Sequence, residues 1–240
     1  MNHWAVHRWS GSAASHHHRQ FPTPLEPAVW IHQINQPALV LGSRQNSGLI
    51  NVAQAQLDGV EICQRRSGGG LVFIDPAQHC WIDVIVPYGS RLWVSDVSLS
   101  FHWLGATWAQ AIWSLLKYEP QTKAKPDGTA IRPEVHTGSY SAGDSQGLIC
   151  FDSLGPGEVT IDGRKVVGIS QRRTKQGCRF QCLVAPRWSP AQYYRYLASD
   201  ARTQIGTTHG FEPSAPDPTP PSLAPHQIER AFLDHLPPPG

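Results

Sequence analysis

The sequence predicts an α+β fold in which a mixed or antiparallel sheet packs against helices. Short runs rich in β-branched and aromatic residues recur along the chain, as in buried strands. One longer segment instead repeats its apolar residues at steps of three and four. The chain has 240 residues, 40% of them hydrophobic. That length and composition are sufficient for one hydrophobic core.

The first half of the chain contains four predicted strands, with a short helical turn between the first two. These strands lie at residues 38–42, 60–64, 71–75 and 79–87. The longest helix is predicted within residues 95–118. Its apolar stripe consists of Phe101, Leu104, Trp108, Ile112 and Leu115. This spacing puts all five side chains on one helix face, which we expect to be core.

The second half contains a predicted hairpin, "GEVTIDGRKVVGISQRR", at residues 157–173. Val159 and Ile161 alternate with polar residues, and Asp162-Gly163 favours a type I′ turn. Another strand and a capped helix are predicted at residues 179–185 and 189–200.

Three parts of the chain differ in composition. Residues 1–29 are predicted to be an N-terminal segment, and residues 30–200 a catalytic domain. Residues 201–240 are rich in proline and are predicted to be a tail with room for a short helix.

Composition argues against several classes of protein. A net charge of +2 is too small to indicate a nucleic-acid partner, and no apolar run is long enough to cross a bilayer. The N-terminus lacks the pattern of a secretory signal, so we expect a cytoplasmic protein without a membrane partner. The five cysteines form no metal-binding pair, and the adjacent His16, His17 and His18 cannot all ligate one ion comfortably. We therefore predict no metal site.

The stretch "RRSGGGLVFID" at residues 65–75 is the strongest candidate for a ligand site. Gly68, Gly69 and Gly70 carry no Cβ, so a ligand can approach the backbone closely there. The guanidinium groups of Arg65 and Arg66 are suited to charge-assisted bonds with a phosphate or an acidic partner.

Three stretches in this order resemble the biotin/lipoate A/B protein ligase family. They are "PALVLGSRQ" at residues 37–45, "RRSGGGLVFID" at 65–75 and "GRKVVGISQRR" at 163–173. The resemblance covers roughly residues 30–190 and implies the α+β catalytic domain of that family. It also implies an enzyme that attaches an acyl group to a lysine of a small carrier domain.

The family's motifs imply the residues that bind the acyl substrate. Lys165 of the family's lysine loop would lie against the acyl carbonyl and stabilise negative charge that develops there. The implied substrate-binding residues are Arg65, Arg66, Ser67, Gly68, Gly69, Gly70, Gly168 and Ser170.

Cys150 indicates which branch of the family the chain resembles. In the cysteine-dependent octanoyltransferases, a Cys-Phe pair precedes the lysine loop and an acidic residue follows eight positions later. Cys150-Phe151 and Glu158 fit this pattern. The resemblance implies a thioester on Cys150, whose thiolate the Lys165 ammonium would favour, and no cofactor. Lipoyl carrier domains would accept the acyl group, and octanoyl-acyl carrier protein or an acylated carrier would donate it.

Two other functions remain open from the sequence. The first is an ATP-dependent lipoate–protein ligase, which would need ATP and magnesium and in which Glu158 could hold the metal. The ligases carry Gly-Arg-Asn-Asp where this chain has Gly155-Pro156-Gly157-Glu158.

The second open function is that of an inactive relative that only binds an acylated carrier. Ile74 motivates this alternative, because family members often have histidine there, and that departure puts Asp75 in doubt as a site residue. Cys63, Cys80, Cys178 and Cys182 match no functional position and are expected in the core.

Overall fold

The computed structural model describes residues 3–117, 132–206 and 223–240. Most of the proline-rich stretch of the predicted tail therefore lies outside the described residues. The strands in the described ranges are β1 (Ala5–Gly11), β2 (Ala28–Ile34), β3 (Ala38–Leu41), β4 (Glu61–Gln64), β5 (Val72–Ile74), β6 (Cys80–Pro87), β7 (Pro133–Val135), β8 (Val159–Ile161), β9 (Arg164–Arg173) and β10 (Gly177–Val184). The α-helices are α1 (Ala13–His18), α2 (Val52–Leu57), α3 (His102–Leu116), α4 (Pro190–Tyr194), α5 (Ser199–Gly206) and α6 (Pro225–His235).

The described strands form a large sheet and a small one. The large sheet has seven strands in the order β1-β2-β6-β10-β9-β8-β7, and the small sheet has the order β4-β3-β5. Within the large sheet β1 pairs parallel to β2, whereas the pairs β2–β6, β6–β10 and β10–β9 are antiparallel. The predicted α+β class with a mixed sheet is confirmed.

The two faces of the large sheet pack against different elements. On one face, β-sheet residues such as Val84 and Phe180 pack with α3 and α6. On the opposite face, Trp81 and Leu183 share a core with Leu39 of the small sheet. The chain therefore has a second layer of β structure on one side, and a cavity can form between the two sheets.

Most of the predicted elements are present. The four strands of the first half appear as β3, β4, β5 and β6, and the apolar helix appears as α3, preceded by a 3₁₀ turn at Leu99–Phe101. The hairpin turn is confirmed as well. Asp162 and Gly163 both have positive φ, 50° and 76°, as a type I′ turn requires.

The capped helix start predicted at residues 189–200 is present, with Ser189 as the N-cap of α4, but the segment does not continue as one helix and forms α4 and the start of α5. The chain between α4 and α5 pairs with the segment that leads into α2. The N–H of Asn51 donates to the carbonyl of Tyr196, and the N–H of Ala198 donates to that of Leu49. These bonds pull the backbone out of the helix at Leu197, which also forms a bridge with Ile50.

The N-terminal segment forms elements that were not predicted, and the tail contains a helix, for which the prediction left room. Before residue 28, β1 forms an edge of the large sheet and α1 packs beside it. After residue 223, α6 packs on α3, where the rings of Trp108 and Phe232 stack with centroids 4.0 Å apart. No helix in the described ranges is both long and apolar enough to cross a membrane.

The stacked pair makes α6 part of the core, and this can be tested by truncation. Phe232 is fully buried, so we expect Phe232→Ala to lower the free energy of unfolding by about 3–5 kcal/mol. Arg230→Ala on the exposed side of the same helix is the matched control, and it should change stability by about 0.5 kcal/mol or less. Urea unfolding of both variants measures the difference. Equal stabilities would mean that α6 is not held by this contact.

Candidate functional site

A cavity of about 590 Å³ lies between the two sheets. Its walls include Val40, Val72 and Ile74 of the small sheet and Trp81 and Leu183 of the large sheet. Polar side chains and the backbone of several glycines line the other parts of the wall. A mostly apolar cavity of this size with a few polar groups is typical of a small-molecule site.

The structure brings eight of the ten predicted site residues to this cavity. Those that line it are Arg65, Gly68, Gly69, Gly70, Cys150, Lys165, Gly168 and Ser170. Residues from three distant parts of the sequence therefore meet at one place. Their roles in binding and catalysis stay predictions.

Arg65 shapes the glycine loop from within. Its Nε and Nη2 donate to the carbonyl of Gly68 at 3.2 and 3.0 Å, and Nη2 also donates to the carbonyl of Gly70 at 2.8 Å. The buried guanidinium is thus bound to the loop that it precedes. The predicted partner of Arg65 is a phosphate or an acidic group, whereas in the structure Nε and Nη2 bind backbone carbonyls.

The glycines of the loop are required for different reasons. Gly69 has φ of +102°, in the region that favours glycine, and a Cβ there would lie 2.7 Å from Nη2 of Arg65. A Cβ on Gly70 would come within 2.6–2.8 Å of backbone atoms of Gly147, Leu148 and Cys150. Gly68 is open, since a Cβ there would meet no atom within 4 Å.

A β-bulge turns the Lys165 side chain toward the cavity. Val159 pairs with Val167, and the next residue, Thr160, pairs with Lys165. The pairing therefore moves by two residues along β9 while it moves by one residue along β8. The extra residue reverses the alternation of side chains between the faces. Lys165 therefore shares a face with Gly168, and its Cε would lie 3.2 Å from a Cβ placed on Gly168.

The buried ammonium of Lys165 has three oxygen partners. It donates to the carbonyls of Cys150 at 2.7 Å and Ser153 at 3.1 Å, and it forms an ion pair with Glu158 Oε2 at 2.7 Å. An ammonium has three hydrogens, so these bonds match its donor capacity. Burial lowers the pKa of Lys165, but the negative charges of the Cys150 thiolate and Glu158 outweigh burial and raise the pKa above its usual value.

Glu158 ties the loop that carries Cys150 to strand β9. Its Oε2 accepts from the N–H of Gly155 at 2.7 Å as well as from Lys165, and its Oε1 accepts from the N–H of Ile169 at 3.0 Å. Both oxygens of this buried carboxylate are therefore engaged within the protein. Its contacts are those of a group that positions Lys165.

Cys150 is the cysteine that meets the cavity with a partly exposed side chain. Its N–H donates to the carbonyl of Leu71 at 2.9 Å, which holds it beside the glycine loop. The Sγ lies 3.8 Å from Nζ of Lys165 and 4.0 Å from the position of a Cβ on Gly69. A thiol between an ammonium and an open backbone loop has the surroundings of a nucleophile.

The other four cysteines are buried, as expected. Burial raises the pKa of Cys63 to about 12 and that of Cys178 to about 11. Burial also raises the pKa values of Cys80 and Cys182. The thiolate, which is the reactive form, is therefore disfavoured at all four positions.

Three residues considered in the sequence analysis lie away from the cavity lining. Arg66 is exposed. Partial burial is the main cause that lowers the pKa of Arg172, and the positive charge of Arg66 is the second cause. Ser67 is buried, with its Oγ 3.1 Å from Ser170 Oγ and 3.2 Å from Gln181 Oε1. Asp75 accepts from the N–H of Ala77 and from Nε2 of Gln78, so its carboxylate stabilises a turn.

Several residues that line the cavity were not predicted. His17, Trp81 and Gln181 line the cavity, and the side chain of Ile74 adds an apolar part of the wall. His17 belongs to α1, in a segment for which no element was predicted. In the described part of the chain, no cluster of His, Cys, Asp or Glu has the geometry of a metal site.

The chain belongs to the family of the lipoyl protein ligase A/B catalytic domain. The model of that family matches residues 12–214, which is most of the chain. A comparison with curated proteins finds no match.

Solved structures of lipoate protein ligases share the fold. A bipartite lipoate protein ligase of Thermoplasma acidophilum, studied with its E2 lipoyl domain, is 12% identical with a TM-score of 0.62, over 97% of this chain and 81% of that one. A lipoate-protein ligase A bound with ATP is 10% identical with a TM-score of 0.58, over 97% and 83%. The putative lipoate protein ligase of T. acidophilum with bound lipoic acid is 11% identical with a TM-score of 0.56, over 97% and 83%.

The crowding at Gly70 leads to a prediction about the glycine loop. Gly70→Ala should lower the free energy of unfolding by about 1–3 kcal/mol, because its Cβ would overlap three backbone atoms. Gly68→Ala is the matched control and should leave stability within about 0.5 kcal/mol of the native protein, since the space there is open. Thermal and urea unfolding of the two variants give the comparison. A Gly70→Ala variant as stable as Gly68→Ala would contradict the packing described.

The Lys165–Glu158 pair leads to a prediction about stability and pH. The folded protein keeps Lys165 charged above its unfolded pKa, so this contribution is present below about pH 10.5 and is lost as pH rises through the raised pKa. Glu158→Gln should lower the free energy of unfolding by about 3–5 kcal/mol at neutral pH, because it leaves a buried charge without its counterion. The alkaline loss of stability should also begin at lower pH in this variant.

Urea unfolding between about pH 8 and pH 11 measures both effects. Glu134→Gln, at an exposed position on β7, is the control and should behave as the native protein does. An alkaline limb that is the same in all three proteins would mean that Glu158 does not hold the charge of Lys165.

Proposed function

We propose that the protein is an acyltransferase that moves octanoyl or lipoyl groups to the target lysine of a lipoyl carrier domain through a thioester on Cys150. The observation that carries the proposal is the position of Cys150 Sγ in the cavity, 3.8 Å from the buried ammonium of Lys165. Membership of the lipoyl ligase family supports the acyl chemistry, and the partly exposed thiol supports the covalent route.

In the first step the Cys150 thiolate attacks the carbonyl carbon of an acyl thioester. A C–S bond forms to Cys150, and the negative charge moves to the carbonyl oxygen. Collapse of that intermediate breaks the C–S bond to the donor, whose thiolate leaves and takes up a proton. One thioester is exchanged for another, so the step needs no ATP.

Lys165 supports this step by exchanging one of its hydrogen bonds. In the resting site its three hydrogens face three oxygens, of which the Ser153 carbonyl is the most distant, at 3.1 Å. A carbonyl oxygen that gains negative charge is a stronger acceptor than a neutral carbonyl. The ammonium therefore turns from Ser153 to the developing oxyanion and stabilises it from a buried position.

In the second step the neutral amine of the carrier's lysine attacks the thioester carbon. An amide bond forms, the bond to Cys150 Sγ breaks, and the proton of the amine neutralises the departing thiolate. The carrier is a lipoyl domain in this proposal, and the study of the T. acidophilum ligase with its E2 lipoyl domain supports that class of partner. The donor is an octanoyl-acyl carrier protein or an acylated carrier, and the expected location is cytoplasmic.

The contacts of Glu158 favour transfer without a cofactor over the ATP-dependent alternative. Were the protein a ligase that holds magnesium on this carboxylate, Glu158 would have to release Lys165 or a backbone N–H. The fold is shared with a ligase bound with ATP, at 10% identity, and it suits either route.

Two reaction mixtures test the proposal. An unmodified lipoyl domain is incubated with the protein and octanoyl-acyl carrier protein without ATP, or with free octanoate or lipoate, ATP and magnesium. Intact-mass analysis should show the acylated carrier in the first mixture. Acylation only in the second would establish a ligase, and stoichiometric binding without product would establish an inactive relative.

Substitution of the nucleophile tests the covalent route. Cys150→Ala should reduce carrier acylation at least about a thousandfold, and the mass of one acyl group on the native enzyme should be absent from this variant. Cys178→Ala, on the sheet face opposite the cavity, is the control and should keep both the activity and the acyl-enzyme. A Cys150→Ala variant with native turnover would exclude the thioester mechanism.

A further inference from the structure

His17 places a buried imidazole in the wall of the cavity, away from the residues to which the proposed reaction assigns a role. It lies on α1, is 7% exposed, and has its Nδ1 3.0 Å from Nε2 of Gln181. Its Nε2 is buried and has no hydrogen-bond partner within the described residues. A buried polar nitrogen without a partner costs about 1–3 kcal/mol, so a ligand that supplies one gains affinity.

The hydrogen bonds of the neighbours determine which ring nitrogen carries the proton. Ser67 donates its hydroxyl hydrogen to Gln181 Oε1, so in the contact between the two serines Ser170 is the donor. The amide of Gln181 then donates from Nε2 to Nδ1 of His17. Nδ1 is therefore the acceptor, and the proton of the neutral ring is on Nε2.

The imidazole stays neutral in the folded protein. Burial, followed by the positive charge of Arg65, lowers the pKa of His17 well below its usual value. A neutral ring with its hydrogen on Nε2 is a donor without a charge. It suits an uncharged acceptor better than a carboxylate or a phosphate.

His17 is held in place from both ends of α1. The carboxylate of Glu61 accepts from the N–H groups of Ala13 and Ala14, each at 2.8 Å. At the other end, the Arg179 guanidinium donates to the carbonyls of His16 at 2.8 Å and Arg19 at 3.2 Å. The imidazole therefore cannot turn away easily to find another partner, and its donor is pre-organised.

The strand register separates His17 from the reacting end of the cavity. Gly168, beside the Lys165 stem, pairs with Leu183, whereas Ser170 pairs with Gln181, which holds His17. Two residues of a strand span about 7 Å. The cavity wall also includes the apolar side chains of Trp81, Val72 and Leu183. An acyl chain with its carbonyl at Lys165 would thus run along apolar wall toward His17.

We propose that His17 donates a hydrogen bond from Nε2 to an acceptor at the far end of the acyl chain. The preferred substrates are then medium-chain acyl groups that end in an uncharged acceptor, such as a dithiolane sulfur or a ketone, over the plain alkyl chain. This inference rests on the proposed function, which identifies the ligand as an acyl group. The inference goes beyond that function because it names a residue that selects the distal end of the acyl chain.

Calorimetry with two free acids tests the inference without any turnover. The probes are octanoic acid and the same acid with a ketone at its penultimate carbon. The native protein should bind the keto acid about tenfold more tightly, as one hydrogen bond to a buried donor implies. His17→Phe should remove that preference. His18→Phe is the matched control, because His18 is exposed and bonds to the carbonyl of Gln64, and it should keep the tenfold ratio.

A second measurement uses the native protein alone, in case His17→Phe does not fold. In spectra of protein with ¹⁵N-labelled histidine, the keto acid should shift the Nε2–H resonance of His17, and octanoic acid should shift it much less. Equal affinity for the two acids, a ratio that survives in His17→Phe, or no binding of either acid would each overturn the inference.

The outcome is distinct from that of the transfer assay. A native protein that prefers the keto acid but acylates no carrier would support the role of His17 while excluding the proposed reaction. A protein that acylates carriers and binds both acids equally would retain the proposed function and lose this inference.

Discussion

The ion pair of Lys165 with Glu158 is the interaction on which the geometry of the site depends. An ammonium in a buried position is strongly destabilising unless charge and hydrogen bonds compensate it. Here the compensation comes from Glu158 and from the carbonyls of Cys150 and Ser153. Because Glu158 also accepts from the N–H groups of Gly155 and Ile169, the same carboxylate fixes the Cys150 loop to β9. The distance between thiol and ammonium is thus set by the partners of one buried charge.

Backbone irregularity is what directs that charge into the cavity. Regular alternation along β9 would put Lys165 on the same face as Val167 and Ile169, which pack in the core with α3 and α6. The bulge opposite Val159 reverses this, and Gly168 leaves room for the lysine stem, since a Cβ there would lie 3.2 Å from Cε. The glycine loop also depends on the absence of a side chain. Because Gly70 has no Cβ, the backbone of Cys150 can pack directly against it.

Features that depend on residues close together in the sequence could be predicted. Features that depend on contacts between distant parts of the chain could not. The Asp162-Gly163 turn, the apolar stripe of α3 and the strands beside the glycines depend on local residue types, and these predictions are confirmed. Cys150, Lys165 and the glycines could be named from their motifs. The bulge could not, because it shows only in the pairing of β8 with β9. The contribution of His17 depends on Arg179, whose guanidinium binds the end of α1 from more than a hundred residues away. No local pattern near "SHHHR" indicates that contact.

The site combines opposite requirements along its length, and this constrains how a substrate can occupy it. At one end a charged lysine is fully bonded before any ligand arrives, so a carbonyl oxygen can enter only in exchange for an existing bond. That exchange is favourable only when the oxygen carries more charge than the carbonyl it replaces, which is a property of the reaction intermediate rather than of the substrate. At the other end the imidazole of His17 is neutral and has an unused donor, which favours a ground-state contact. In the proposed reaction the first end would therefore stabilise the transition state, whereas the second would contribute to binding and selection. On the two proposals, a substitution at Lys165 would act on the rate of acyl transfer, and a substitution at His17 would act on which acyl group is held.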